Sequence, residues 1–414
     1  MLDINSFDSA LKELYTKDKV EKLVYSNFPF LASVPKNTDF MGKNYVVPVY
    51  YGNPQGRSAT FTRAQSGGLR DNSKTVDFNL TRVKDYGVVT IDAETMEATA
   101  NDKGAFLKAR ETEIDGIISS LSQSLATQLV RGGWGDIGRV GSFTGATITL
   151  ASVADVVNFE VGQEIVVAAA ANTGNIRAVG SSTNGLFITG INRDTGVLTF
   201  GFNVTDATNG IPTIANNDFI FNRGDRDESA SPAMLRMVGL DAWVPVTAPT
   251  STLFLSVDRT KDVTRLGGLR RDVSALPIEE ALLDGAAYAS REGAKPDTYY
   301  MNPMRYVDLV KALGSKVQYV DVQASENIGF RGITVQGPMG AIKVLADPTI
   351  PTDRAYGLTM SSWELKSLGE LIRPLNSDGL EMLRMSSRDG YEVRYGYYAN
   401  LACHAPGKNI VLSI

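Results

Sequence analysis

Four short constellations in this sequence hold residue types that do chemistry in proteins. Gly133, Gly135 and Gly138 stand in G-x-G-x-x-G spacing, which admits a dinucleotide pyrophosphate when a strand precedes it and a helix follows. Here a helical pattern precedes it, so the spacing reads as coincidence. His404, the chain's one histidine, adjoins Cys403, its one cysteine. Neighbours on a strand point to opposite faces, so the two form neither a dyad nor a shared metal site. Asp225, Asp227 and Glu228 offer hard oxygen ligands for a cation in an exposed loop, but with Arg223 and Arg226 interleaved they read as a solvated linker. Ser9 and Lys12 have the S-x-x-K spacing of acylated serine enzymes without the companion motifs. No Walker loop and no nucleophile elbow occurs, and no catalytic, cofactor-binding or metal-binding residue is assigned.

The element that must organise the chain is a helix over residues 102–133. Leu107, Ile114, Ile118, Leu121, Leu125 and Leu129 recur at spacings that stack them in one stripe. Asp102 suits its start and Gly132-Gly133 its end. At about 1.5 Å per residue it would run roughly 45 Å. Its other side carries Lys108, Arg110, Glu113, Ser119 and Gln123, so it reads as a beam with one buried face.

Before the beam, residues 7–25 read as an arm helix with Leu11, Leu14, Tyr15, Val20, Leu23 and Val24 on one side. Residues 44–51 are strand-like, with Pro48 marking an edge. Residues 52–72 are rich in Gly, Ser, Gln and Arg, and residues 75–91 return to strand composition. Together these predict a long hairpin with a mobile tip, whose length implies that it projects and packs on something else. After the beam the period becomes two, and no lysine occurs between Lys108 and Lys261. The unit GLFITGINRDTGVLTF predicts two strands joined at Asn192 to Gly196, and its neighbours predict a small β-barrel or sandwich. Pro277 with Glu279 and Glu280 predicts a helix start, and Gly293 its end. Asn302 and Pro303 open another, with Tyr306, Leu309, Val310 and Leu313 as its stripe. From Gly340 onward strands dominate, so the class is α+β.

Composition limits what the chain does. A length of 414 residues implies two or three domains, and 43% hydrophobic with 21% charged residues suits a soluble globular core. A net charge of -5 opposes nucleic-acid binding over the whole surface. The single cysteine excludes an internal disulfide, and no signal peptide or run of about 18 apolar residues occurs, which predicts a soluble protein made inside the cell.

Charge is distributed unevenly. Residues 43–90 hold seven basic groups (Lys43, Arg57, Arg63, Arg70, Lys74, Arg82, Lys84) against three acidic ones (Asp71, Asp77, Asp85). Residues 92–115 invert this, with seven acidic groups (Asp92, Glu94, Glu97, Asp102, Glu111, Glu113, Asp115) against three basic. Two solvated faces would give the same pattern. The sharper expectation is that a basic hairpin of one copy lies over the acidic helix of the next, with Arg57, Arg63, Arg70 and Lys74 facing Glu94, Glu97, Glu111 and Glu113.

The ordered set of arm, hairpin, long helix, mixed domain and closing strands resembles the major capsid proteins of tailed bacteriophages. Their Hong Kong 97-like capsid fold is shared by encapsulins. The resemblance is carried by NFPFLASVPKNTDFMGKNYVVPVYYGNPQGRSATF, by TYYMNPMRYVDLVKAL and by the terminal ACHAPGKNIVLSI. It implies an N-terminal arm over 1–42, an extended loop over 43–91 and a spine helix of the peripheral domain over 92–133. An inserted β-barrel or sandwich domain would occupy 134–229, and the axial domain with the rest of the peripheral domain 230–414. The implied function is structural: hexamers and pentamers close into an icosahedral shell around double-stranded DNA, with no enzymatic activity, no cofactor and no membrane. Implied partners are further copies, a separate scaffolding protein, a portal and a decoration protein, in a virion assembled in the host cytoplasm. Cross-linking of a loop lysine, for which Lys74 and Lys84 are placed, lacks its asparagine, since residues 386–392 hold none. Two rival readings are an encapsulin-like compartment and a polysaccharide-acting or esterase-like enzyme with a β-sandwich appendage.

Overall fold

The long helix Lys103–Val130 lies on a six-stranded sheet whose centre is the strand Gly390–Cys403. The computed structural model describes residues 27–70, 72–93, 103–180, 185–314, 319–325, 328–338, 340–376, 379–380, 382–386 and 388–414. The arm helix expected over residues 7–25, the Ser9 and Lys12 pair, Glu94, Glu97 and Asp102 lie outside the described residues. The helix buries Ile114, Ile118, Leu121, Leu125 and Leu129, at most 4% exposed, while Glu113 and Ser119 face solvent. Its stripe sits on the strand Val83–Asp92, which alternates buried and exposed residues along its whole length. Gly87 lies directly beneath Ile117 and Leu121, where a β-carbon would stand 2.6 Å from Ile117 Cγ1.

That strand corrects the expected hairpin over residues 43–91. The paired hairpin consists of Asn44–Gly52 and Lys74–Thr81 and closes there. Val83–Asp92 leaves it to pair with Gly390–Cys403 over ten residues, from Asp92 opposite Gly390 to Val83 opposite Ala399. Nor is the hairpin's tip a plain loop, because Phe61–Arg70 is a helix. The connecting residues 53–60 fold back on it at Gly56, whose β-carbon would meet Gly68 Cα at 2.8 Å. At the base, Val47, Val49, Phe78 and Leu80 are buried. Phe78 meets Trp243 edge-on at 5.1 Å, and Trp243 meets Phe254 at 5.3 Å. Pro48 lies opposite Asp77 in this two-stranded ribbon, where no further strand needs its missing donor.

Residues 136–222 form a closed six-stranded barrel. Around it run Phe219–Asn222, Asp136–Thr144, Thr147–Leu150, Val197–Phe200, Leu186–Asn192 and Glu164–Ala168. Closure leaves no unpaired edge, and the inward residues Val140, Ile148, Ile165, Val167, Leu186, Ile188, Leu198 and Ile220 make a core of their own. The turn after Asn192 is built as its sequence predicts: the Asn192 side chain accepts from the amides of Asp194 and Thr195, and Gly196 takes φ 67°.

The second sheet has seven strands, in the order Leu269–Asp272, Ile410–Ser413, Arg354–Leu358, Thr298–Met301, Gly340–Ala346, Ile328–Gly337 and Tyr319–Ser325. Thr298–Met301 is buried throughout because both faces are covered. Tyr299 and Met301 pack under the helices Ile278–Arg291 and Pro303–Leu313, and Tyr300 packs into the main core beneath. Asn302 caps the second helix by accepting from the Met304 amide, and Pro303 takes its first position. Strand dominance begins at Tyr319, earlier than the expected Gly340, and the strand Arg354–Leu358 ends where residues Met360–Ser362 turn as a 3-10 helix. No helix among the described residues is long and apolar enough to cross a membrane.

Candidate assembly surfaces and the barrel joint

The hairpin's outer part offers uncompensated positive charge. Arg57, Arg63 and Lys74 are exposed and have no ion pair among the described residues. Arg70 ends the tip helix. Beside them lie the exposed Val46, Tyr50 and Phe61, the last 81% accessible. Opposite charge is exposed on the long helix at Glu113, and Glu111 lies in the same helix. The described members of the two groups form no ion pair within the chain.

Two of the counted groups, one of each sign, are engaged within the fold, so the excess of positive charge over residues 43–90 stands among the groups that remain. Arg82 donates to the Phe40 carbonyl at 3.1 Å and covers the Phe40 ring at 5.7 Å. Asp85 is buried at the junction of helix, sheet and barrel. Ser124 Oγ donates to its Oδ2 at 2.7 Å, Gln128 Nε2 at 3.3 Å, and the Tyr397 hydroxyl at 3.4 Å. Arg236 pairs with it at 2.8 Å and also grips Asp225, so one guanidinium serves two carboxylates. Burial pushes Asp225 up to about 6, against the pull of Arg236.

A second cation stands just past the end of the beam. Arg131 pairs with Asp155 at 2.5 Å and with Asp136 at 3.8 Å, both on the barrel side. Burial works against its charge, yet Asp155 and Asp136 hold its guanidinium above the ordinary value. Between the two cations, Asn158 accepts from Thr127 Oγ1 at 2.9 Å and Gln123 Nε2 at 3.3 Å, and donates to the Ile137 carbonyl at 2.9 Å. A cleft of about 580 Å³ opens here, lined by Gln123 and Thr127 on one side and by Val157, Asn158 and Gln163 on the other. None of Asp85, Arg131, Asp155 or Arg236 was singled out from sequence as a site residue. Their partners lie up to 312 residues away in the chain, and no local pattern signals such a pairing.

Three of the four constellations of the opening lie within the described residues. Gly133 and Gly135 follow the helix and lead into a strand, the reverse of a dinucleotide site, and both take positive φ, 85° and 87°. His404 Nε2 lies 3.2 Å from Glu364, while Cys403 is buried and its thiol pushed up to about 12 by that burial. Asp225 is taken by Arg236, and Asp227 accepts from the amides of Ser229 and Ala233. Arg226 is no solvated linker residue: it is 3% exposed and donates to the carbonyls of Ala170, Ala171, Thr173 and Gly174. Among the described residues, no three His, Cys, Asp or Glu side chains gather as a metal site.

Residues 192–382 match the family model of the SU10 major capsid protein. That span runs from the barrel's Asn192 turn through most of the seven-stranded sheet and its two helices. No curated protein matches the sequence. Among solved structures, the chain is similar to the cyanophage A-1(L) capsid asymmetric unit, at 12% identity over 94% of each chain with a TM-score of 0.46. It is also similar to the SrpI encapsulin of Synechococcus elongatus PCC 7942, at 9% identity over 100% of this chain and 95% of that one, TM-score 0.45. A third likeness is to Mycobacterium phage Ogopogo, at 8% identity over 94% and 92%, TM-score 0.42.

Proposed function

We infer that this chain is the major capsid protein of a tailed bacteriophage, a virion shell subunit that works by associating with copies of itself. The observation that carries the reading is the match of residues 192–382 to a capsid protein family. The described surfaces agree with it in kind: the buried polar clusters hold the fold together, and the hairpin exposes apolar and basic groups.

In the finer reading, the chain has the Hong Kong 97-like arrangement. Residues 1–42 serve as the arm, and the hairpin with its tip helix as the extended loop that reaches a neighbour. The long helix is the spine of the peripheral domain, and the seven-stranded sheet with its two helices belongs to the axial domain. Hexamers and pentamers close into an icosahedral shell, assembled in the host cytoplasm with a scaffolding protein, a portal and a decoration protein. Arg57, Arg63, Arg70 and Lys74 of one copy face Glu94, Glu97, Glu111 and Glu113 of the next. The shell encloses double-stranded DNA without specific binding, in keeping with the net charge of -5. The barrel, free of lysine, faces outward.

Electron microscopy and mass spectrometry of purified particles test this. The expected result is the chain as the dominant protein of closed, DNA-filled shells with a portal. Shells filled with a protein cargo would move the reading to an encapsulin-like compartment, and absence of the chain from any shell would overturn it.

A further inference from the structure

The barrel and the body have separate apolar cores, and hydrogen bonds and ion pairs fix one against the other. The barrel core is closed on itself, and the body core takes in the long helix, the hairpin base and both sheets. The body meets the barrel through Gln123 and Thr127 on Asn158 and through Arg131 on Asp155, while Arg236 in the connecting segment ties its neighbour Asp225 to Asp85 of the body. Polar interfaces between separately cored units are the ones across which units move.

We propose that the barrel is a hinged module, turning as one body on its two connecting segments, with Arg131 and Arg236 as the clasps that hold it at the angle seen here. The stem is residues 133–136 and 222–236. Its first segment carries two residues of positive φ, Gly133 and Gly135, where other residue types would be strained. Its two segments touch: a β-carbon on Gly135 would come 2.6 Å from the Asp225 carbonyl oxygen. The segments meet again where the Arg236 amide donates to the Gly133 carbonyl at 3.3 Å, and irregular connecting residues of this kind are where a hinge absorbs its change of backbone angle. The cleft of about 580 Å³ provides the space to turn into. Both clasps are also incompletely used, since Arg131 Nε and Arg236 Nε are buried with no hydrogen-bond partner. Buried donors left over in one arrangement lower the cost of reaching another. Among identical chains in a closed shell, such a hinge would let the barrel adopt different angles while the sheets pack alike. That consequence rests on the capsid reading, whereas the hinge rests only on the joint.

Spin labels on the full chain at two exposed positions, S119C on the helix and T189C on the barrel, test the hinge by pulsed distance measurement on the soluble subunit. Cys403 is buried with its thiol pushed up to about 12 and stays unlabelled. The expected result is one dominant distance, with a second population that rises about tenfold in R131Q or R236Q, the scale of losing one part-buried ion pair. R131Q alone decides the matter if R236Q, which strands two acids, fails to fold. Barrel and body should also unfold in separate transitions in R131Q. An unchanged distance distribution, or loss of barrel and body in one transition, would overturn the hinge, and neither result bears on whether the chain forms shells.

Discussion

The Trp363 indole donates to Asn409 Oδ1 at 2.9 Å, at the place where the six-stranded and seven-stranded sheets meet. The same oxygen accepts from the Thr359 amide at 2.9 Å, and Asn409 Nδ2 donates to Ser362 Oγ at 3.1 Å and to the Ala405 carbonyl at 3.0 Å. With Asn409 fully buried, one amide ties Trp363 of one sheet to the segment that leads into Ile410–Ser413 of the other. Asn409→Leu fits in volume but leaves the indole and the Thr359 amide without acceptors, each worth about 1 to 3 kcal/mol. Chemical denaturation should show a loss of about 2 to 5 kcal/mol, and a loss below about 1 kcal/mol would mean the two sheets are joined by packing alone.

How much of this was legible in the sequence depended on range. The long helix showed because its stripe repeats locally, and Asn302-Pro303 and Asn192 to Gly196 showed because caps and turns are chemistry between near neighbours. The tip helix Phe61–Arg70 was hidden by Gly67 and Gly68, which lower helix propensity in its interior. Val83–Asp92 was read into the hairpin because alternation continues across Arg82 with one residue of break, and only its pairing with a strand some 300 residues on tells them apart. Asp85, Arg236 and Asn409 had no local signal at all. Buried polar groups are specified by partners, and those partners are set by the fold.

Gly87 lets the long helix lie close on its strand. In Gly87→Ala the new β-carbon meets Ile117 Cγ1 at 2.6 Å and Leu121 Cδ1 at 3.0 Å, both on the buried face. Overpacking of this kind costs about 1 to 3 kcal/mol. Ile117→Ala in the same chain should return part of that loss, since the two changes share one contact. Strict additivity in thermal denaturation of the double variant would show that the helix relaxes away without strain.

Asp225 should make stability depend on pH in an unusual sense for a carboxylate. Its folded value, pushed up to about 6 by burial, exceeds the ordinary 3.8, so the native chain holds a proton that the unfolded chain releases. Its contribution to stability is therefore present at low pH and falls as pH rises from about 4 to 6. Asp225→Asn keeps the uncharged shape and removes the dependence. At pH 7 the variant should be more stable than the parent by up to about 3 kcal/mol, and at pH 4 the two should converge. The difference between the two curves isolates this residue from Asp136, Asp297 and Asp347, whose carboxyls are also pushed up by burial. A difference that does not change with pH would place the Asp225 charge outside the joint's balance.

The charge reversal along the chain gives the most direct test of how copies meet. Arg57, Arg63 and Lys74 are exposed without ion pairs among the described residues, and Glu113 is exposed on the long helix. If the hairpin of one copy crosses the helix region of the next, each exposed pair contributes only about 0 to 1 kcal/mol. A ring repeats the contact at every interface, so the sum steers assembly, and salt screens it. The rate of shell formation, followed by light scattering, should therefore fall as salt is raised from low ionic strength. Arg57→Glu with Arg63→Glu should slow or stop assembly while leaving the circular dichroism and melting of the isolated subunit unchanged, because neither side chain holds the fold. Adding Glu111→Arg and Glu113→Arg to the same chain should restore part of the rate, since complementarity is then reversed and not lost. Normal assembly of the first variant, or no recovery in the second, would reduce the inversion of charge between residues 43–90 and 92–115 to two solvated faces.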